Sequence, residues 1–133
     1  MPHSREEVQA TVERYVETRK VIDAGGATWS ALAQYFTDDA VYHNMPMEPV
    51  KGKAAIRTTI ASFMPKSDKD TITFKILHTS SNGGVVFNER VDMFDQGGKH
   101  IELPVAGVFE ISGGKIAKWR DYFDLQSFTK QMA

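Results

Sequence analysis

The residues of this chain best suited to chemistry are an arginine, a pair of aspartates, a tyrosine and an asparagine. Arg90 and Asp92 stand at i and i+2 in Phe87-Asn88-Glu89-Arg90-Val91-Asp92-Met93-Phe94, so on a strand they share a face. Asp121 lies in Trp119-Arg120-Asp121-Tyr122-Phe123-Asp124, on the face of Trp119 and Phe123. Tyr42 and Asn44, again at i and i+2, point the same way from Val41-Tyr42-His43-Asn44-Met45-Pro46. A guanidinium has donors for two carboxylates, and a phenol beside an amide can hold a water. Such a set is material for proton transfer, because local environment can hold one of two acids ionised and the other neutral. Read singly, Arg90-x-Asp92 is also a structural ion pair at a sheet edge, and Tyr42-x-Asn44 a buried tyrosine hydrogen bond followed by an asparagine turn.

Whether these groups meet depends on the strands. Four β-rich runs, at about 71–79, 85–94, 99–111 and 115–124, are separated by Ser81-Asn82-Gly83-Gly84, Asp95-Gln96-Gly97-Gly98 and Ser112-Gly113-Gly114, each a hairpin signal. They predict an antiparallel meander. In the third run Ile101, Leu103, Val105, Gly107 and Phe109 alternate with Glu102, Pro104, Ala106, Val108 and Glu110, which turns the odd positions to the core. If the loop before it is Gly97-Gly98, or Gln96-Gly97, then Arg90 and Asp92 oppose odd-numbered residues and face inward. A strand that buries these two while sending Val91 and Met93 outward needs compensation, since an unpaired buried ion costs several kcal/mol. A second acid is therefore expected. Asp121 supplies it if Ser112-Gly113-Gly114 is a three-residue loop that pairs Ile111 with Lys115 and sets Asp121 beside Val105. The flanking strands would then lie about 10 Å apart across the middle one, a gap Arg90 can bridge. A two-residue loop is expected to turn Asp121 to the opposite face.

The first half reads as helix. Residues 4–24 open with the capping box Ser4-Arg5-Glu6-Glu7, carry Val8, Val12, Tyr15, Val16 and Ile22, and stop at Gly25-Gly26. Thr28 can cap a shorter helix holding Leu32, Tyr35 and Phe36, with a short extended piece over 40–44 after it. Residues 53–64 repeat the helical pattern through Ile56, Ile60 and Phe63 and end at Pro65. Helices followed by an antiparallel sheet predict an α+β fold with the helices on one face.

Composition bounds the rest. The chain has 133 residues, 41% hydrophobic and 25% charged, the profile of one globular domain over 1–133. Sixteen Lys+Arg against seventeen Asp+Glu leave no basic field for nucleic acid. The absence of cysteine excludes a thiol nucleophile and thiolate metal sites and suits a reducing cytoplasm. The charged N-terminus reads as too polar for a signal peptide, and no apolar run approaches a membrane span. Gly-x-Ser-x-Gly, phosphate-loop and dinucleotide-turn motifs are missing. His3, His43, His78 and His100 match no metal spacing, so metal ligands: none.

Taken in order, Tyr42-x-Asn44-Met45-Pro46, Arg90-x-Asp92, Leu103-Pro104-Val105-Ala106-Gly107-Val108-Phe109 and Trp119-Arg120-Asp121-Tyr122-Phe123-Asp124 resemble the limonene-1,2-epoxide hydrolase family, from the first helix to about Phe128. The resemblance implies a curved sheet with helices closing a deep cone, the cystatin-like or nuclear-transport-factor-like fold shared with scytalone dehydratase and ketosteroid isomerase. It implies one-step hydrolysis of a small apolar epoxide to a vicinal diol, without metal or organic cofactor. By position, Asp121 would be the base acting on a water held also by Tyr42 and Asn44, protonated Asp92 would donate to the epoxide oxygen, and Arg90 would orient both. The sequence leaves open which acid keeps the proton. Leu103, Val105, Phe123 and Phe128, with Met45 and Phe94 as further candidates, would line an apolar pocket.

Fold alone does not settle function. A ketosteroid-isomerase-like or polyketide-cyclase-like proton shuttle would use Asp92 and Tyr42, but leaves Arg90 between two aspartates unexplained. A non-catalytic carrier of small hydrophobic ligands would need the lining but no water-holding pair. Inward Arg90 and Asp92 also force Phe87, Val91 and Met93 outward beside Pro104, Ala106 and Val108. Such an apolar patch calls for a second copy, and the family resemblance likewise implies a homodimer.

Overall fold

A computed structural model describes residues 5–20, 32–62 and 70–133. His3, Ser4 of the capping box, Ile22, the Gly25-Gly26 stop, Thr28, Phe63 and Pro65 lie outside the described residues, as does the side chain of Val16. Helix α1 (Arg5–Lys20) has Glu6 and Glu7 in its first turn, where the helix dipole favours acids. Val8, Thr11, Val12 and Tyr15 are buried, and their spacing of three and four places them on one face. That face lies on the sheet: Gln9 Nε2 donates to Ser81 Oγ at 2.9 Å, and the Thr11 hydroxyl reaches Gly114 O at 3.4 Å.

Next come β1 (Phe36–Asn44), β2 (Val50–Lys51) and α2 (Lys53–Ser62), whose Ile56 and Ile60 are buried. Strands β3 (Thr71–Asn82), β4 (Val85–Gln96), β5 (Lys99–Ser112) and β6 (Lys115–Tyr122) form the expected meander, and α3 (Leu125–Met132) follows. The sheet runs β2-β1-β6-β5-β4-β3. The protein is thus α+β, with a six-stranded curved open sheet. No helix among the described residues is long and apolar enough to cross a membrane.

Several expectations are corrected. Phe36 opens a strand rather than closing a helix: it pairs in parallel with Ile116, and its ring packs on Tyr15 at 5.4 Å. The extended piece before Asn44 is a full strand, and it lies parallel to β6, between β6 and β2. Helix α3 was not anticipated; Asp124 caps it, its Oδ1 accepting the Gln126 N–H at 3.0 Å.

The two glycine loops set the faces. Gly97 and Gly98 (φ 58° and 79°) close β4–β5 in two residues, pairing Gln96 with Lys99. Arg90 therefore opposes Val105 and Asp92 opposes Leu103, on the inner side as expected. The β5–β6 loop is not the expected three residues. Gly113-Gly114 closes it in two, pairing Ser112 with Lys115. Ile111 then pairs with Ile116 but Glu110 with Lys118, so Ala117 is an extra residue, a β-bulge that reverses the alternation. Asp121 stays on the inner face, opposite Gly107 rather than beside Val105. The cause is packing: Ile116 and Trp119 are both buried at an odd separation that a regular strand cannot place on one face.

Outward lie Phe87, at 44% exposure, with half-buried Val91, Met93 and Val108 and exposed Pro104 and Ala106. Phe87 pairs with Val108 and Val91 with Pro104, with exposed Glu89 opposite Ala106 between them, so the patch spans β4 and β5 around one acidic side chain.

Candidate active site

The registers bring the chemistry-bearing residues together in rows. Parallel β1–β6 pairing sets Tyr42 beside Trp119 and Asn44 beside Asp121. Antiparallel pairing continues the second row to Gly107 of β5 and Asn88 of β4. Arg90 stands one inward position further along β4 and reaches back over Gly107 to β6.

Arg90, Asp92 and Asp121 are 3%, 7% and 4% exposed. Arg90 Nε donates to Asp92 Oδ1 at 2.7 Å and Nη2 to Asp92 Oδ2 at 3.2 Å. The other edge of the fork serves Asp121, Nη1 to Oδ1 at 3.1 Å and Nη2 to Oδ2 at 2.5 Å. The remaining Nη1 hydrogen goes to Asn88 Oδ1 at 3.2 Å. All five guanidinium N–H groups are thus bonded, which matters because each buried donor left unmade would cost about 1–3 kcal/mol. Burial alone would depress the guanidinium, but Asp121 and then Asp92 more than offset that and hold its pKa well above the ordinary arginine value. It is a fixed cation. With both acids ionised the cluster carries one net negative charge, and one added proton makes it neutral.

Asp121 has a third donor, which the sequence reading missed. Trp119 Nε1 donates to its Oδ1 at 2.6 Å, an i, i+2 contact whose only sequence signal was the shared strand face. The indole is held flat between Tyr42, stacked at 4.1 Å, and Phe109, stacked at 5.2 Å, with Tyr15 edge-on at 5.2 Å. The Tyr42 hydroxyl donates to Asn44 Oδ1 at 3.1 Å, so the phenol and amide expected to act together do touch.

These groups open on a pocket of about 620 Å³ counting its mouth. Tyr42, Asn44, Asp92 and Asp121 supply its polar wall, and Leu103, Val105, Phe123, Phe128 and Phe94 its apolar one. Met45 is not among the lining residues; its backbone N–H donates to Asp121 O at 2.9 Å, and Met47 lines the pocket instead. Ile72, Phe74 and Leu125 also line it; Ile72 and Phe74 stand opposite Phe94 and Asp92 across the β3–β4 pair, beyond the irregularity between Ile76 and His78, and Leu125 comes from α3. Phe128 packs edge-on against Phe94 at 6.0 Å. Among the described residues no cluster of three or more histidines and acids could hold a metal. His43 bonds Met47 O, and His100 sits between Asp95 and Glu102, whose hydrogen bonds, Asp95 first, raise its pKa.

With two buried acids on one arginine, the comparison with known proteins is direct. The sequence profile of the limonene-1,2-epoxide hydrolase catalytic domain matches residues 8–133. The chain belongs to the limonene-1,2-epoxide hydrolase family. It is 31% identical over 93 residues to epoxide hydrolase EphG of Mycobacterium tuberculosis (strain ATCC 25618 / H37Rv), covering 70% of this chain and 60% of that protein. The aligned stretch is thus less than two-thirds of that relative's length. The fold matches an M. tuberculosis LEH-like epoxide hydrolase structure with a TM-score of 0.77 at 25% identity, over 96% of this chain and 90% of that one. A candidate polyketide cyclase from Xanthomonas campestris pv. campestris gives a TM-score of 0.80 at 20% identity, over 97% and 98% of the two chains, a likeness of fold alone.

Proposed function

We propose that the protein adds water to a small apolar epoxide in one step, giving a vicinal diol. The observation that carries this is the Asp92–Arg90–Asp121 cluster, buried and opening on an apolar pocket beside Tyr42 and Asn44. Opening an epoxide at neutral pH needs a nucleophile activated on one side and the developing alkoxide protonated on the other. In this reading Tyr42, Asn44 and Asp121 hold the water. Asp121 takes a proton as the hydroxide oxygen bonds to carbon; the C–O bond breaks, and its oxygen takes the proton of Asp92. Asp121 accepts three N–H groups, the Trp119 indole among them, and Asp92 accepts two from Arg90; the extra indole donor favours Asp121 as the ionised acceptor and Asp92 as the donor. One proton arrives and one leaves, so the charge of the buried cluster is the same before and after. That constancy is what a low-dielectric site demands.

No step is assigned to a metal or organic cofactor, and a reducing, cytoplasmic setting suits a chain without cysteine. The apolar lining favours an alicyclic or aryl epoxide over a charged one. The rival proton-shuttle chemistry, with Asp92 and Tyr42 serving an enolate oxygen, gives no task to the second carboxylate, Asp121, that Arg90 joins to Asp92.

Incubation with a panel of cyclic epoxides in ¹⁸O-water, with chelator present, is expected to yield diol carrying the label. In a single turnover the label should appear in the diol alone. Label in Asp92 or Asp121 would mean a covalent ester and end the one-step reading; absence of diol from every epoxide would end the hydrolase reading.

We propose also that two copies pair through the outer face of the sheet. Val91→Glu or Ala106→Glu puts a charge into the apolar patch and is expected to give a monomer in sedimentation equilibrium at micromolar concentration, where the unaltered protein is a dimer. A monomer before substitution would refute the pairing.

A further inference from the structure

Asn88 and Gly107 have no part in the chemistry above, yet both meet its central group. Asn88, Gly107 and Asp121 lie in register on three adjacent strands, and Arg90 Nη1 lies over that row. It is 3.2 Å from Asn88 Oδ1 and 3.1 Å from Asp121 Oδ1. A Cβ built on Gly107 would stand 2.6 Å from Nη1, 2.6 Å from Asn88 Oδ1 and 3.1 Å from Asp121 Oδ1. The first two separations are closer than side-chain carbons tolerate. Glycine inside a strand weakens it, and Gly107 is not among the glycines with positive φ. Its backbone therefore does not ask for glycine; the space above it does.

The guanidinium is a rigid fork. Its Nε–Nη2 edge serves Asp92 and its Nη2–Nη1 edge serves Asp121, so the last Nη1 hydrogen is the only donor directed at neither acid. Whatever accepts that hydrogen fixes the pivot of the plane. Asn88 accepts it with a neutral oxygen, and so adds no third negative charge to share the cation. Its side chain is buried on the inner face, where an apolar residue would otherwise pack.

We propose that Asn88 and Gly107 form a seat for the Nη1 end of Arg90, with Asn88 a positioning residue that sets the tilt of the guanidinium and through it the placement of Asp92 and Asp121. The inference deepens, and rests on, the epoxide-opening reading of this site. A misplaced acid pair slows the chemical step more than it weakens binding of an apolar substrate.

Asn88→Leu removes the acceptor while keeping the branching at Cγ and the number of side-chain heavy atoms, and Asn88→Asp keeps the acceptor and adds a charge. With an epoxide that the unaltered protein opens, Asn88→Leu is expected to lower kcat about 10–100-fold while KM moves by less than about threefold. Asn88→Asp should recover most of kcat on the alkaline side, with the acid limb of the kcat–pH profile moved to higher pH, since added negative charge disfavours the ionised base. The ¹⁵N signals of Arg90 Nη1 and Nη2 are expected to be distinct in the unaltered protein, and in Asn88→Leu the Nη1 signal should move further than the Nη2 signal, because Nη1 loses its neutral acceptor while four bonds to Asp92 and Asp121 still hold the fork. If Asn88→Leu does not fold, Gly107→Ala carries the same expectation for kcat, because it keeps every polar group while its Cβ displaces both Nη1 and Asn88 Oδ1 and presses on Asp121 Oδ1. Unchanged kcat and profile in Asn88→Leu would overturn the proposal. Equal losses in Asn88→Leu and Asn88→Asp with unshifted profiles would reduce Asn88 to a structural role and overturn it too. Should the unaltered protein open no epoxide, the hydrolase reading fails by itself, and the Nη signals still decide: an Nη1 signal that moves no further than Nη2 in both Asn88→Leu and Gly107→Ala refutes the seat.

Discussion

Asp121→Asn is expected to lower kcat for epoxide opening by about 10²–10⁴-fold, the usual contribution of a general base. The asparagine keeps an oxygen for the Trp119 N–H, which now bonds Oδ1 at 2.6 Å, but has no basic atom to take the proton of the water. KM should change little, because the lost interaction belongs to the transition state. The new amide N–H groups would face Arg90 Nη2, at present 2.5 Å from Asp121 Oδ2, so some stability is lost as well, about 1–3 kcal/mol for a donor left facing a donor. Circular dichroism and a urea midpoint separate that loss from the catalytic one. Activity above about a tenth of the original in a folded variant removes Asp121 from the base role.

Arg90→Gln is expected to have the largest effect on stability, a loss of about 3–5 kcal/mol at neutral pH, because removing one partner of a buried ion pair strands the others. In the intact protein the aspartates raise the Arg90 pKa. A group with a raised folded-state pKa contributes its full stabilisation below its unfolded-state value, which for arginine covers every practical pH. In the variant a pH dependence appears. Two buried carboxylates without a cation cannot both ionise, so the folded state binds a proton that the unfolded chain has released near neutrality. Stability then falls as pH rises and returns in part on acidification toward about pH 5. Urea unfolding at both pH values measures this. A variant equally stable at both, within about 1 kcal/mol of the original, would mean that the acids do not depend on Arg90.

The amino-acid sequence by itself determined the inner face of β4 and β5, because strand alternation and two-residue glycine loops are local. Ile101, Leu103 and Val105 face the core, the Gly97-Gly98 turn carries that parity back along β4, and Arg90 and Asp92 must follow inward. The need for a second acid was likewise legible, since an arginine bound to one aspartate at i+2 has donors left over. Ile116 and Trp119 held a further signal: two large apolar residues three apart mean a bulge if both are buried, and Ala117 is that bulge.

Only the tertiary structure decided how β1 joins the site. Its parallel pairing with β6, which places Tyr42 beside Trp119 and Asn44 beside Asp121, is a contact between distant parts of the chain that no local period encodes. It forms because Phe36, Tyr42 and Trp119 bury their rings together. The same holds for Met47 and Leu125 in the pocket wall and for Gly107 beneath Arg90. A single strand's pattern reports which way a side chain points. What it meets there depends on elements brought in by burial of apolar surface, which is non-directional and so does not write the partner's identity into the local pattern.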